Sequence, residues 1–207
     1  MNEVDGETLG NAVTLIDMMR HGEPVGGSRY RGQMDCLLSE KGWAQMEAAV
    51  PDPVPWQVIV SSPLKRCSEF AQRLAQNCGI FVEEDDRFKE IGFGSWEGCT
   101  RDEIKEKDPQ ALNNFFKDPV KYRPDGAERL EVFSARTMVG WKSLVKKYQG
   151  QHILLVAHAG VIRMLTAHVL GMPLENVFRL QVSNAAINRI KIETGKAPTL
   201  HLHNGRL

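Results

Sequence analysis

The sequence predicts a three-layer α/β/α fold built on a mostly parallel mixed sheet, and three observations carry that expectation. Short apolar runs rich in strand formers alternate with longer segments of helical periodicity. Two of the runs, residues 13–19 and 151–157, lead straight to a histidine followed within two residues by a glycine, at His21-Gly22 and His158-Ala159-Gly160. At 207 residues, 42% hydrophobic and 25% charged, the chain is sized for one substantial core.

Composition narrows the function classes. Lysine and arginine number 26 against 26 aspartates and glutamates, so no global field draws nucleic acid or an anionic membrane, and any anion site must be a local cluster. Cys36, Cys67, Cys78 and Cys99 have no CxxC spacing and read as reduced thiols of a cytoplasmic protein. Residues 1–12 are acidic and polar, without a basic flank or apolar core segment, and read as a loose tail before a single domain over 13–207. No apolar stretch is long enough to span a bilayer, so a soluble product is expected.

In chain order, residues 13–19 form a buried strand that delivers Arg20 and His21 at its carboxyl end, closed by Gly22 and Pro24. Residues 24–35, rich in glycine and carrying Arg29 and Arg31, form a loop able to fold over His21. Ser39 caps a helix to about residue 49, and Pro51, Pro53 and Pro55 break the chain before a strand at 56–60. Ser62 reads as an N-cap with Pro63 at the first helical position. Cys67, Phe70, Ala71, Leu74, Ala75 and Cys78 give this helix its apolar face, and Gly79 ends it.

A strand follows at 80–83. Residues 90–98 combine three glycines with Phe93 and Trp96, a packed turn suited to holding the Glu90 carboxylate in place. Two short helices over 100–116, a proline-marked loop over 118–126 and a long helix over 127–148 come next. The most strand-like run, 151–157, ends at His158 before a helix over 161–170. Strands are then expected at 178–182, 185–192 and 199–203, with a turn at 194–196. Met172, Leu174, Val177 and Phe178 serve equally as a core strand or as a homodimer contact. His201 and His203 share a strand face, but no carboxylate or cysteine completes a metal site, so a surface strand is the reading.

Chemistry concentrates at the strand ends. An imidazole beside a guanidinium suits attack on phosphorus, because histidine can carry a covalent phosphoryl group while arginine binds its oxygens in pairs. Arg66 lies in a first helical turn, where the dipole ordinarily prefers acids, and with the helix amino terminus it favours an anion. His158 repeats the placement of His21, and the helix after it offers free N–H groups from Ala159 onward. In open α/β sheets the strand carboxyl ends face the ligand crevice, so His21, Arg66 and His158 converge on one side.

Four ordered pieces carry a resemblance: Arg20-His21-Gly22-Glu23; Ser61-Ser62-Pro63-Leu64 with Arg66; residues 90–98; and His158-Ala159-Gly160. On these the chain resembles the histidine phosphatase superfamily, whose members include cofactor-dependent phosphoglycerate mutases and many small phosphatases. The resemblance implies a phosphoglycerate mutase-like fold with His21 as the phosphorylated nucleophile. Arg20, Arg66 and His158 would form the phosphate pocket, and Glu90 would donate the proton. The long insertions associated with glycerate mutases are missing, which favours a phosphatase. The stretch 29–42, with Arg31, Gly32, Gln33, Asp35, Leu38, Ser39 and Gly42, is similar to α-ribazole phosphatases of cobalamin biosynthesis.

Two departures stand out. Pro24 replaces a threonine usual after the Arg-His-Gly-Glu motif, and the asparagine often found a few residues on is missing from residues 25–28, which leaves Ser28 or Arg31 to supply its phosphate contact. The expected electrostatics are a neutral His21, a protonated His158 and a protonated Glu90. Neither a metal nor another cofactor is expected, since the arginines supply the positive charge. The expected partner is a small phosphomonoester, with α-ribazole phosphate first. A phosphoglycerate mutase and a broad-specificity sugar or nucleotide phosphatase are the alternatives. An inactive binding scaffold is disfavoured by the intact Arg20, His21, Arg66, Glu90 and His158.

Overall fold

The computed structural model describes residues 12–207, so the expected tail lies outside the described residues apart from Ala12. The strands are β1 (Val13–Arg20), β2 (Val58–Ser61), β3 (Phe81–Glu84), β4 (His152–Ala157), β5 (Ile187–Glu193) and β6 (Thr199–Gly205). They form one sheet in the order β3-β2-β4-β1-β5-β6. The first four named in that order pair in parallel, and β5 and β6 extend the β1 edge antiparallel, giving the expected mostly parallel mixed sheet. The helices are α1 (Glu40–Glu47), α2 (Lys65–Cys78), α3 (Arg101–Lys107), α4 (Ala111–Lys117), α5 (Leu130–Lys147) and α6 (Ala159–Val169).

Alternation along the central strands assigns the two faces. Ile16 and Met18 of β1, with Ile153 and Leu155 of β4, pack in one core with Phe133, Trp141, Ile162 and Leu165 of α5 and α6. Met19, Ile59, Leu154 and Val156 join a second core with Met46, Cys67, Phe70 and Leu74 of α1 and α2. Trp96, Ile104, Leu112 and Phe115 make a smaller cluster at α3 and α4. Among the described residues no helix is long and apolar enough to cross a membrane.

Helix ends follow local chemistry. Ser39 caps α1 by accepting from the Gly42 N–H at 3.0 Å, and Gly79 ends α2 in the left-handed region at φ 65°. Thr100 and Glu103 form a reciprocal capping box on α3.

Four local expectations are corrected. Ser62 does not cap α2: the helix begins at Lys65 after Leu64, so Pro63 precedes it, and the Ser62 hydroxyl lies 2.7 Å from His158 Nε2 while accepting from the Leu64 N–H only at 3.4 Å. Cys78, the last residue of α2, is exposed, and the buried face of the helix ends at Ala75. Residues 178–182 are not a strand. Leu174–Arg179 is a 3-10 helix, and the 3- and 4-residue spacing of Leu174, Val177 and Phe178 turns these side chains and Met172 onto their own chain's core.

β1 carries one fully buried charge, Asp17. Trp56 Nε1 donates to it at 2.8 Å, Arg189 Nε and Nη2 donate at 2.7 and 2.9 Å, and His152 Nε2 lies 2.8 Å away. Burial raises the Asp17 pKa, but the hydrogen bonds from Arg189, His152 and Trp56 outweigh it and hold the carboxyl below its usual 3.8. The network staples β1 to β4 and β5. A depressed folded pKa stabilises the protein above the unfolded value, and that stability is lost as pH falls through the folded pKa. Asp17→Asn is expected to cost about 3 kcal/mol at neutral pH, because it leaves the Arg189 charge facing an uncharged partner. Urea titrations should show the gap to the parent narrowing as pH drops below about 4; a gap that stays constant would contradict this origin.

Candidate active site

The parallel register of β1 and β4 pairs Arg20 with Ala157, and the His21 N–H donates to the Ala157 carbonyl at 3.0 Å. His21 and His158 therefore leave the sheet side by side, with ring centroids 5.2 Å apart and planes inclined by 62°. The turn after His21 depends on two glycines in backbone contact. A Cβ on Gly22 would lie 2.1 Å from the Gly42 carbonyl oxygen, and one on Gly42 would lie 2.1 Å from that of Glu23. The first turn of α1 thus fixes the loop after His21 from outside.

His21 is buried, and its Nδ1 lies 2.7 Å from the Gly22 carbonyl. A carbonyl only accepts, so Nδ1 carries the proton and Nε2 the lone pair. Burial first, then the charges of Arg20, Arg66 and Arg31, hold the His21 pKa well below 6.5, against the opposing pull of the Gly22 bond. The result is a neutral imidazole with one free nitrogen, the form nucleophilic attack requires.

His158 is fully buried with Nε2 2.7 Å from Ser62 Oγ. Burial, then Arg66, His21, Arg20 and Arg136, push its pKa well below 6.5, which corrects the expectation of a protonated His158. A second imidazolium here would lack solvent and face existing cations. Cys67 lies against the same ring, with Sγ 3.7 Å from Nε2, and burial pushes its thiol up to about 12, so it stays unionised.

Arg20 and Arg66 flank His21. Arg20 donates from Nη1 to the Val182 carbonyl at 2.7 Å; burial lowers its pKa to about 10, which leaves it charged at neutral pH. Arg66, in the first turn of α2, donates from Nη1 and Nη2 to the Met34 and Gly32 carbonyls at 2.7 and 2.8 Å. The Nε of each is buried without a partner, a situation that costs about 1–3 kcal/mol per group until a ligand accepts from it. Both residues line a cavity of about 160 Å³ together with His21, Glu90, Ala159 and Arg163.

Glu90 is held by backbone: Oε1 accepts from the Ile91 N–H at 3.0 Å and Oε2 from the Gly160 N–H at 3.1 Å. A Cβ on Gly160 would lie 2.2 Å from Glu90 Oε1, so only glycine admits the carboxylate here. From behind, Arg136 of α5 donates to the carbonyls of Arg87, Lys89 and Glu90 at 2.7–2.9 Å and pairs with Glu128 at 2.7 Å.

Arg31 lines the cavity, but its donors serve the loop: Nη1 reaches the Arg29 carbonyl at 3.3 Å, and Nη2 those of Val25 and Gly27 at 2.8 and 2.6 Å. Ser28 is exposed and lines the adjoining cavity. The sequence reading missed Arg136, Arg163, Tyr30 and Phe93. Arg163 had a signal, because it stands four residues after Ala159 and so on the same face of α6. His201 lies on the exposed edge strand with Nε2 3.0 Å from Thr199 Oγ1, and among the described residues no three His, Cys, Asp or Glu side chains gather as a metal site.

Comparison with known proteins places these residues in context. The family model of the histidine phosphatase superfamily (branch 1) matches residues 16–205. The chain is 30% identical over 197 residues to phosphoserine phosphatase 1 of Hydrogenobacter thermophilus, covering 92% of each. It also matches a bifunctional protein of Mycobacterium tuberculosis at 29% identity over 196 residues, and there it spans only 54% of the relative's length. Among solved structures, mycobacterial glucosyl-3-phosphoglycerate phosphatase superposes with a TM-score of 0.84 at 29% identity, covering 93% of this chain and 99% of that one. The α-ribazole phosphatase of Shigella flexneri gives a TM-score of 0.80 at 25% identity, covering 93% and 96%.

The buried histidines yield a direct prediction. Ring nitrogen chemical shifts should show His21 and His158 both neutral through pH 6.5, with the His21 proton on Nδ1. Appearance of either imidazolium near pH 6.5 would contradict the electrostatics of the pocket.

Proposed function

The chain belongs to the histidine phosphatase superfamily, and from that premise we propose that it is a phosphomonoesterase working through a phosphohistidine on His21. The observation that carries this reading is the His21 ring, tied at Nδ1 to Gly22 and neutral, in a cavity whose flanking arginines hold unpartnered buried Nε–H groups. In the first step His21 Nε2 forms a bond to phosphorus as the ester P–O bond breaks, and Glu90 passes a proton to the departing oxygen. Arg20 and Arg66 take the phosphoryl oxygens, and neutral His158 donates to one of them. The positive charge left on the imidazole is shared through Nδ1–H with the Gly22 carbonyl. In the second step water attacks phosphorus, gives its proton to Glu90, and frees His21 and inorganic phosphate.

The substrate candidates differ in their leaving groups. α-Ribazole phosphate, a precursor in cobalamin biosynthesis, is supported by the stretch 29–42 and by the Shigella flexneri structure. Phosphoserine and glucosyl-3-phosphoglycerate are supported by relatives of equal or greater identity. All would present the phosphoryl group to the same pocket.

Rapid quench with a labelled aryl phosphate should trap one phosphoryl group per chain on His21, and His21→Ala should abolish both the label and turnover. Glu90→Gln should slow alkyl phosphates by about 10²- to 10⁴-fold and aryl phosphates less, since phenolates leave without a proton. Full turnover by His21→Ala would overturn the covalent route. Transfer of the label to a second glycerate in preference to water would make the protein a mutase.

A further inference from the structure

The phosphate pocket opens into a second cavity of about 320 Å³, and Arg20, Arg29, Tyr30, Phe93 and Arg163 belong to both linings. Arg101 joins them in the outer cavity, where Phe115, Phe116 and Phe178 supply apolar walls. Taken together the two linings hold six arginines and a single carboxylate, Glu90. In a chain with a formal net charge of zero, that is a strong local excess.

The six cations are not equally committed. Arg20 and Arg66 are the phosphoryl grip. Arg31 is spent on three loop carbonyls, and Arg29 pairs with Glu103 at 3.2 Å and donates to the Gly98 carbonyl at 2.7 Å. Arg163 and Arg101 remain. Among the described residues neither forms an ion pair.

Arg163 is the more telling of the two. It projects from α6 one turn beyond Ala159, is half-buried, and its single hydrogen bond, Nε to the Leu180 carbonyl at 2.8 Å, anchors the guanidinium while leaving Nη1 and Nη2 unspent. Its guanidinium carbon stands 5.6 Å from the Phe178 ring centroid, and that of Arg101 stands 5.3 Å from the Phe116 centroid. Each guanidinium is thus backed by an aromatic face, which fixes its plane while leaving its donors free. A partly desolvated guanidinium without a counter-ion is costly, and a ligand anion would relieve that cost.

We infer that Arg163, with Arg101 at the outer rim, binds a second anionic group on the leaving-group side of the substrate, so that the preferred substrates are phosphomonoesters bearing a carboxylate or a further phosphoryl group. This rests on the phosphomonoesterase reading of the adjoining pocket. A neutral base such as that of α-ribazole phosphate would stack on the aromatic walls and leave both guanidiniums unanswered.

The experiment compares 3-phosphoglycerate with glycerol 3-phosphate, which share a three-carbon backbone but differ in the carboxylate. A sugar bisphosphate, α-ribazole phosphate and p-nitrophenyl phosphate complete the set. The expected kcat/KM is about tenfold or more higher for 3-phosphoglycerate than for glycerol 3-phosphate, and Arg163→Met should bring that ratio to near one. Arg163→Lys should restore part of it, and Arg101→Met, at an exposed position, should reduce it. The bisphosphate tells a site for any second anion from one for a carboxylate alone. A ratio near one in the parent protein, a ratio unaltered by Arg163→Met, or α-ribazole phosphate as the fastest substrate would overturn the inference. Phosphate release from p-nitrophenyl phosphate with phosphorylated His21 would leave the reaction class standing in any of those cases. Loss of both would instead reject the phosphomonoesterase reading itself.

Discussion

The hydrogen bond from the His21 N–H to the Ala157 carbonyl, with the parallel β1–β4 register it continues, sets the geometry on which the rest of the site depends. Strand side chains alternate between faces, so a slip of one residue would turn every central side chain of β1 to the opposite core. Ile16 and Met18 belong to one core and Met19 to the other, which makes such a slip prohibitive. Asp17 adds a polar lock, because its partners Trp56, His152 and Arg189 come from three other segments. Apolar packing and one satisfied buried carboxylate thus hold His21 beside His158 far more firmly than loop contacts could.

Around that fixed pair the chain places charge in two contrasting ways. Arg189, Arg136 and Arg87 have carboxylate partners within hydrogen-bonding distance and serve structure. Arg20, Arg66 and Arg163 have none among the described residues and line the cavities. Burial first, then Arg20 and Arg66 among these cations, keep His21 and His158 neutral, and the cations create a field that an oxyanion can relax. The packed cores beneath must offset this electrostatic tension, and burying a Leu or Phe side chain contributes about 1.5–3 kcal/mol toward that.

Much of this was legible in the sequence because the signals were local. Apolar runs ending at His21 and His158 located two strand ends, Gly79 ended α2, and the glycine-rich turn after Glu90 marked an immobilised acid. What failed needed tertiary knowledge. Ser62 has the composition of an N-cap, yet His158, 96 residues away, takes its hydroxyl. Residues 178–182 look like a strand because Phe178, Leu180 and Val182 alternate with Arg179 and Gln181, yet Phe178 and Arg179 end the 3-10 helix Leu174–Arg179 and the next three residues are irregular. His158 reads as a cation until its complete burial is known. Arg136 sits beside Phe133 on α5, and no local pattern tells that its guanidinium reaches three carbonyls of the segment before Glu90.

Gly160 shows why the one carboxylate in a cationic cavity does not pair with the cations. A helix amino terminus normally offers its N–H groups to an incoming anion, but here the Gly160 N–H is already given to Glu90 Oε2, and Ile91 supplies the second donor. The acid is therefore positioned by peptide groups, which are rigid and carry no net charge. Had an arginine held it, a salt bridge would have consumed a cation. With backbone as the grip, Arg20 and Arg66 keep buried Nε–H groups without a partner in the cavity. The absent Cβ of Gly160 is the space this arrangement requires, since a methyl group there would overlap the Glu90 carboxylate oxygen.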